Sequence, residues 1–158
     1  MTDRVDPVSL TELNEAYPHS LAARMGIRIT EASPDRVVGT MPVEGNTQPY
    51  GVLHGGASCV LAETLGSTGA ALHAGSEKFT VGIEISASHH RSATDGHLTG
   101  VATKLHAGRT LATYEIVITD EDDRRVCTAR LSCLYRDALP RPPSERNSDL
   151  PPPLQQDR

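Results

Sequence analysis

The sequence predicts an α+β domain, an antiparallel sheet wrapped around one long central helix. Three observations predict it. Residues 55–73 form a nearly uncharged stretch in which Val60, Leu61, Leu65 and Leu72 recur at helical spacings and Ala, Gly, Ser and Thr fill much of the rest. Two strand-like runs, Met25 to Ala32 and Arg36 to Val43, precede it. Four more follow it in meander spacing: Phe79 to His89, Leu98 to Leu105, Leu111 to Thr119 and Arg125 to Tyr135. Strands around a single apolar helix are the signature of a sheet that buries one face on that helix.

Taken in order, Ser9 stands three residues before Glu12, a capping-box pattern that predicts a short helix, and Pro18 limits its length. Ser33-Pro34-Asp35 is a turn between the first two strands, which should pair as a hairpin. Gly45, Asn46, Pro49 and Gly51 mark a loop over 44–53. The helix starts near Gly55 and runs to about His73. Its small side chains predict burial and close approach on most faces. Gly66 and Gly69 cost helix propensity there, a cost that tight packing of another backbone would explain. Turns are expected at Thr94-Asp-Gly, His106-Ala-Gly and Asp120-Glu-Asp-Asp. From Leu139 to Arg158, six of the twenty residues are proline and most others polar or charged, the composition of a disordered tail. The organisation is therefore an N-terminal segment with a short helix over 1–24, one domain over 25–136 and a proline-rich tail over 137–158. The strands carry too many polar positions for both faces of the sheet to be covered within one subunit, so a homo-oligomer is expected.

Composition narrows the function classes. With Phe79, four tyrosines and no tryptophan, the core is aliphatic and a base-stacking platform is disfavoured. A net charge of −5 also argues against general nucleic-acid binding, while leaving room for a small anion held by a local basic cluster. No apolar run has the length of a membrane span, and the N-terminus shows no signal pattern. Cys59, Cys127 and Cys133 have neither metal nor redox spacing and read as small core residues in a reducing cytoplasm. The histidines lack metal-ligand spacing, so no metal site is expected. Gly51-Val-Leu-His-Gly-Gly lacks both the P-loop ending and the dinucleotide fingerprint.

One acid, Glu63, interrupts the apolar helix. A carboxylate is costly to bury without a task or a partner, so Glu63 is the candidate catalytic carboxylate. The alternative is a structural acid paired with an arginine. Gln48, His54 and the Gly55-Gly56 backbone precede it. The first N–H groups of a helix are free, and the dipole there favours developing negative charge. Glycine lets a carbonyl oxygen approach closely. Gly55 and Glu63 lie eight residues apart, about 12 Å along a helix. Both cannot readily reach one carbonyl from one subunit. If both act on it, Glu63 comes from a neighbour. Ser67, four residues after Glu63, shares its face, with Cys59 and Ala70 flanking it.

Asn46-x-x-x-x-Gly51-x-x-His54-Gly55-Gly56, with Gln48 inside it and Glu63 nine residues after His54, resembles the hotdog-fold acyl-CoA thioesterases. The branch it looks nearest to contains the phenylacetate-pathway, 4-hydroxybenzoyl-CoA (Arthrobacter-type) and dihydroxynaphthoyl-CoA thioesterases. The resemblance covers roughly residues 20–136. Val81-Gly-Ile-Glu-Ile-Ser-Ala-Ser-His-His-Arg-Ser resembles the strand leading to the coenzyme A site, and Leu105-His-Ala-Gly-Arg-Thr and Val117-Ile-Thr-Asp-Glu-Asp-Asp match further blocks. The resemblance implies hydrolysis of an acyl-CoA thioester with an aromatic or bulky acyl group. It also implies sites at a dimer interface and a homotetramer built as a dimer of dimers. It places Gln48 near the thioester, has His54 orient the loop or the thiolate side, and lets Ser67 position water. Glu63 acts as nucleophile or general base, a choice the sequence leaves open. No cofactor is implied, since the coenzyme A thioester is the substrate. Its phosphates need cations. The candidates are His89, His90 and Arg91 with Ser92, and His106 and Arg109 with Thr110, alongside Gly56 and Gly82. An acyl-CoA-binding protein without activity is the competing reading. A hydratase is disfavoured because its acid and histidine are spaced differently.

Overall fold

A computed structural model of the chain describes residues 9–137. Residues 1–8 and, apart from Asp137, the expected tail lie outside the described residues.

Two short helices open the described chain, α1 (Leu10–Glu15) and α2 (Leu21–Arg24). Ser9 precedes α1 but its hydroxyl makes no cap bond, so the expected capping box does not form. Asn14 anchors this segment instead. Its Nδ2 donates to Ile29 O and its Oδ1 accepts from Ile29 N, both at 2.8 Å, so the amide pairs with strand β1 (Arg28–Ala32) as a further strand would. The first strand starts at Arg28 rather than Met25, because Gly26, at φ 71°, turns the chain out of α2. Strand β2 (Arg36–Pro42) pairs with β1 as expected, and Ser33 closes the turn by bonding Arg36 through both backbone and hydroxyl.

Helix α3 (Gly55–Ala74) is the long apolar helix. Strands β3 (Lys78–His89), β4 (His97–Ala107), β5 (Leu111–Thr119) and β6 (Arg125–Asp137) complete an antiparallel sheet in the order β1-β2-β4-β5-β6-β3. The expected four-strand meander is therefore only β4-β5-β6. Helix α3 delivers the chain to the far side of the sheet, where β3 pairs with β6, and the 90–96 connection returns it to β4 beside β2.

The helix lies on one face of the sheet and buries Ala57, Leu61, Ala62, Leu65 and Ala70 against Met41, Leu98, Tyr114, Ile116 and Leu131. Its opposite side stays open, which corrects the expectation of burial on most faces. Gly56, Glu63 and Ala71 are exposed, and Cys59, Val60 and Ser67 are half-buried. Glycines set the close approach. A Cβ at Gly69 would lie 2.7 Å from Tyr114 Cε1, and one at Gly66 would lie 2.7 Å from Leu131 Cδ2. Tyr114 is fully buried and its hydroxyl donates to Pro34 O at 2.6 Å. Among the described residues, no helix is long and apolar enough to cross a membrane.

Candidate active site

The loop before α3 is a small hairpin. Thr47 bridges Leu53, Gln48 N donates to Val52 O, and Gly51, at φ 79°, closes the turn by donating to Gln48 O. Asn46 locks it to the body of the domain. Its Nδ2 donates to Met25 O and Pro42 O, both at 2.9 Å, and its own carbonyl accepts from His54 N at 2.9 Å. Sequence reasoning used Asn46 only as a spacing marker. The legible signal was an Asn, a residue that bonds backbone locally, at a fixed distance from His54.

His54 is the N-cap of α3. Its Nδ1 accepts from Gly56 N at 2.9 Å, so a neutral ring carries its proton on Nε2. Ala57 N donates to His54 O. The cap therefore occupies the Gly56 and Ala57 donors, and Gly55 N–H is left without a partner among the described residues. Gly55 lines a cleft of about 360 Å³ together with Leu53, Ser58, His89, Arg91, Ser92 and Val126. The His89 ring lies over Gly55, and a Cβ at that position would be 2.9 Å from its Nε2. His90 also borders the cleft, with Nε2 2.9 Å from Thr128 Oγ1. Gln48 is half-buried, its Oε1 3.3 Å from Tyr50 N.

Glu63 is exposed in the single chain. Its cost of burial, the argument that singled it out, applies only once something covers this side of α3. Ser67 lies one turn on, with Oγ 3.8 Å from Cys133 Sγ. The neighbouring hydroxyls are engaged within the helix, Thr64 Oγ1 donating to Val60 O and Thr68 Oγ1 to Thr64 O. Ser67 differs in that its hydroxyl meets the Cys133 thiol rather than its own helix backbone. Cys59 flanks Glu63 as expected. Ala70 does not, because it faces the sheet and is fully buried.

The two cationic groups do not meet in one chain. His89, His90, Arg91 and Ser92 lie at the end of β3. His106, Arg109 and Thr110 lie at the β4–β5 turn, where Lys78 Nζ, at the start of β3, donates to Arg109 O. Twelve residues of β3 separate them, roughly 35 Å at about 3.3 Å per residue. Gly82 belongs to neither group; its Cα faces Glu63.

The thioesterase superfamily model matches residues 50–127, the span from the Gly51 turn through β6's first residues. Proofreading thioesterase EntH of Cronobacter turicensis is 48% identical over 126 residues, covering 79% of this chain and 92% of that protein. The chain belongs to the thioesterase superfamily. Its fold is the hotdog fold, and it is a thioester hydrolase. Among solved structures, thioesterase HI1161 of Haemophilus influenzae superposes with a TM-score of 0.80 at 36% identity, over 84% of this chain and 94% of that one. A mutant of thioesterase PA1618 of Pseudomonas aeruginosa superposes with a TM-score of 0.81 at 34% identity, over 85% and 98%.

The three cysteines of this thioesterase are all free thiols. Burial pushes the Cys127 thiol up to about 11, with the charge of Cys59 adding to it. Burial also raises Cys133, more than the Ser67 hydroxyl lowers it, and the Glu63 charge adds to the rise. Since the thiolate is the reactive species, Cys127 in the folded protein should alkylate with iodoacetamide at pH 8 about a hundredfold more slowly than in denaturant. Timed labelling read by peptide mass spectrometry checks this. Equal rates would mean the β6 thiols are not held in the core.

Proposed function

We propose that this thioesterase hydrolyses an acyl-CoA thioester carrying an aromatic or other bulky acyl group, releasing the free acid and coenzyme A. The observation that carries the reading is the pairing on α3 of an unpartnered N–H at Gly55, a residue that lines a cleft, with an exposed carboxylate two turns on. The N–H, at the positive end of the helix, suits the oxyanion of a tetrahedral intermediate. Glu63 either takes the proton of the attacking water or attacks the carbonyl itself, forming an anhydride that water then opens. In both routes the C–S bond breaks and the thiolate leaves.

The site is shared between two copies. Strand β3 is twelve residues long and pairs on one side only, with Phe79, Val81 and Ile83 exposed. The other sheet edge, β1, is already covered at Ile29 by Asn14. An uncovered edge of this length is a template for a second strand. Antiparallel pairing of β3 with its copy sets the end of one strand beside the start of the other. His89, His90 and Arg91 of one chain then approach His106, Arg109 and Thr110 of the second, which no single chain achieves. The same twofold brings Glu63 and Ser67 of one chain over the open side toward Gln48, His54 and Gly55 of the other. A homotetramer, a dimer of two such dimers, follows by use of the outer sheet face, where Glu115 and Arg130 line a groove of about 540 Å³. A coenzyme A substrate and unpaired thiols fit a cytoplasmic enzyme.

The name of the Cronobacter relatives favours a second reading, in which the enzyme clears thioesters wrongly formed by another enzyme. Benzoyl-, phenylacetyl-, naphthoyl- and straight-chain CoA thioesters, assayed by thiol release, test both. The first reading expects the aromatic substrates to lead in kcat/KM. A proofreading enzyme hydrolyses several acyl groups comparably. Binding of these thioesters with no thiol release would return the acyl-CoA-binding alternative.

A further inference from the structure

We infer that Gly82 is a positioning residue for the Glu63 carboxylate, an inference that rests on the catalytic reading of Glu63 above. Glycine weakens a strand interior, so its presence in the middle of β3 asks for a cause. The backbone supplies none, because Gly82 is not among the glycines with left-handed φ. Nor does tight packing by another strand, since β3 is the sheet edge and Gly82 is exposed. The cause lies in the space its Cβ would fill. A Cβ there would lie 2.9 Å from Glu63 Oε1 and 3.6 Å from Glu63 Cδ, with Leu131 Cδ1 also at 3.6 Å.

Glu63 is exposed, so its carboxylate can move away from an added group, but only by leaving the place it now holds. Gly66, one turn beyond Glu63, admits Leu131 against the helix and draws α3 down onto β6 at this point. Gly82 pairs across the ladder with Cys133, the residue that Ser67 Oγ contacts. Immediately after Gly82 the β3–β6 register shifts, so Ile83 is an extra residue in the edge strand. Such bulges re-aim a strand locally. Here the bare backbone forms one wall for the carboxylate, which opens away from the sheet toward the uncovered side of α3. A methyl group on that wall would swing the carboxylate to another rotamer without touching the coenzyme cleft. Displacement of a reacting group by about 1 Å can cost 10²-fold in rate.

Steady-state kinetics of the full-length Gly82→Ala protein test this, with the most active thioester of the panel as substrate. The expected result is a kcat lower by about 10- to 100-fold with KM changed less than about threefold. A methyl that merely lowered the folded fraction would also lower kcat at constant KM, so rates are referred to the folded fraction read by circular dichroism, and the Glu63→Asp background separates the two causes. In a Glu63→Asp background, where the carboxylate is drawn back by one methylene, adding Gly82→Ala should change kcat less than about twofold. Wild-type kcat in Gly82→Ala, or equal losses in both backgrounds, would overturn the inference. If Gly82→Ala alone fails to fold, the Gly82→Ala/Glu63→Asp protein decides. A fold as stable as that of Glu63→Asp supports the clash with the carboxylate, and failure of both overturns it. An unchanged rate in Glu63→Gln would instead sink the catalytic reading of Glu63 itself.

Discussion

Glu63→Gln should abolish most thioester hydrolysis, lowering kcat by about 10²- to 10⁴-fold, while acyl-CoA still binds. The amide keeps the shape of the side chain and removes the charge that attacks or accepts a proton. Glu63 is exposed in the single chain, so the change costs the fold little. The mate to this variant is Gly55→Pro. Gly55 is the first residue of α3, where proline is well tolerated, and the preceding His54, at φ −72° and ψ 128°, already has the extended backbone that proline demands of its neighbour. The substitution deletes the one free N–H at the head of the helix, a loss of about 10²–10³ in kcat for an oxyanion donor. The atoms nearest to an added Cβ all belong to the exposed His89 ring.

Mixing the two variants gives the sharper result. In a shared site, a heterodimer of Glu63→Gln and Gly55→Pro chains has one site with both defects and one with neither. Activity should return to about half that of the wild-type dimer, far above either parent. Co-expression with two tags, followed by tandem purification, isolates that species for assay. Activity no greater than that of the parents would show that each chain uses its own Glu63 and Gly55. The roughly 12 Å between them would then have to be bridged within one subunit.

The second large effect concerns the core. Gly39 and Gly100 face each other in the β2–β4 register, and Leu65 enters the space above them. A Cβ at Gly39 would lie 2.7 Å from Leu65 Cδ2, and one at Gly100 would lie 2.6 Å from Leu65 Cδ1. Leu65→Ala should cost about 4–5 kcal/mol, the upper part of the usual range, because the floor of the hole is strand backbone and cannot collapse. Gly100→Ala should cost about 1–3 kcal/mol by overpacking. Together they should be milder than their sum by at least about 1 kcal/mol, since the new methyl fills part of the hole and only Leu61, at 3.3 Å, must give slightly. Gly39→Ala should not be rescued in this way. Its Cβ also meets Arg28 O at 2.8 Å, a backbone atom that removing Leu65 does not move. Urea unfolding of the single and double variants measures the difference. A rescue of Gly39→Ala as large as that of Gly100→Ala would mean β1 can shift away.

The elements themselves were readable because their causes are local. The apolar, small-sided run after His54 predicted α3 to within a residue or so, and the limits of β5 were read without error. The spacing from Gln48 through His54 to Glu63 also sufficed to pick out the loop, the helix head and the acid. The proposed division of the site between two copies also starts from helical rise, which sets Gly55 and Glu63 about 12 Å apart. Strand order was not readable, because β3 neighbours β6 rather than β4 through pairings between residues far apart in the chain, from His89 with Cys127 to Lys78 with Asp137. No short-range pattern encodes such contacts. The same holds for the roles of side chains at close quarters. That Asn46 locks the loop, that Ser67 meets Cys133 rather than its own helix backbone, and that Gly82 clears a place for Glu63 all depend on gaps of a few tenths of an ångström between distant segments. Sequence determined which residues are the candidates for the site of this thioesterase, and tertiary packing decided how each of them is held.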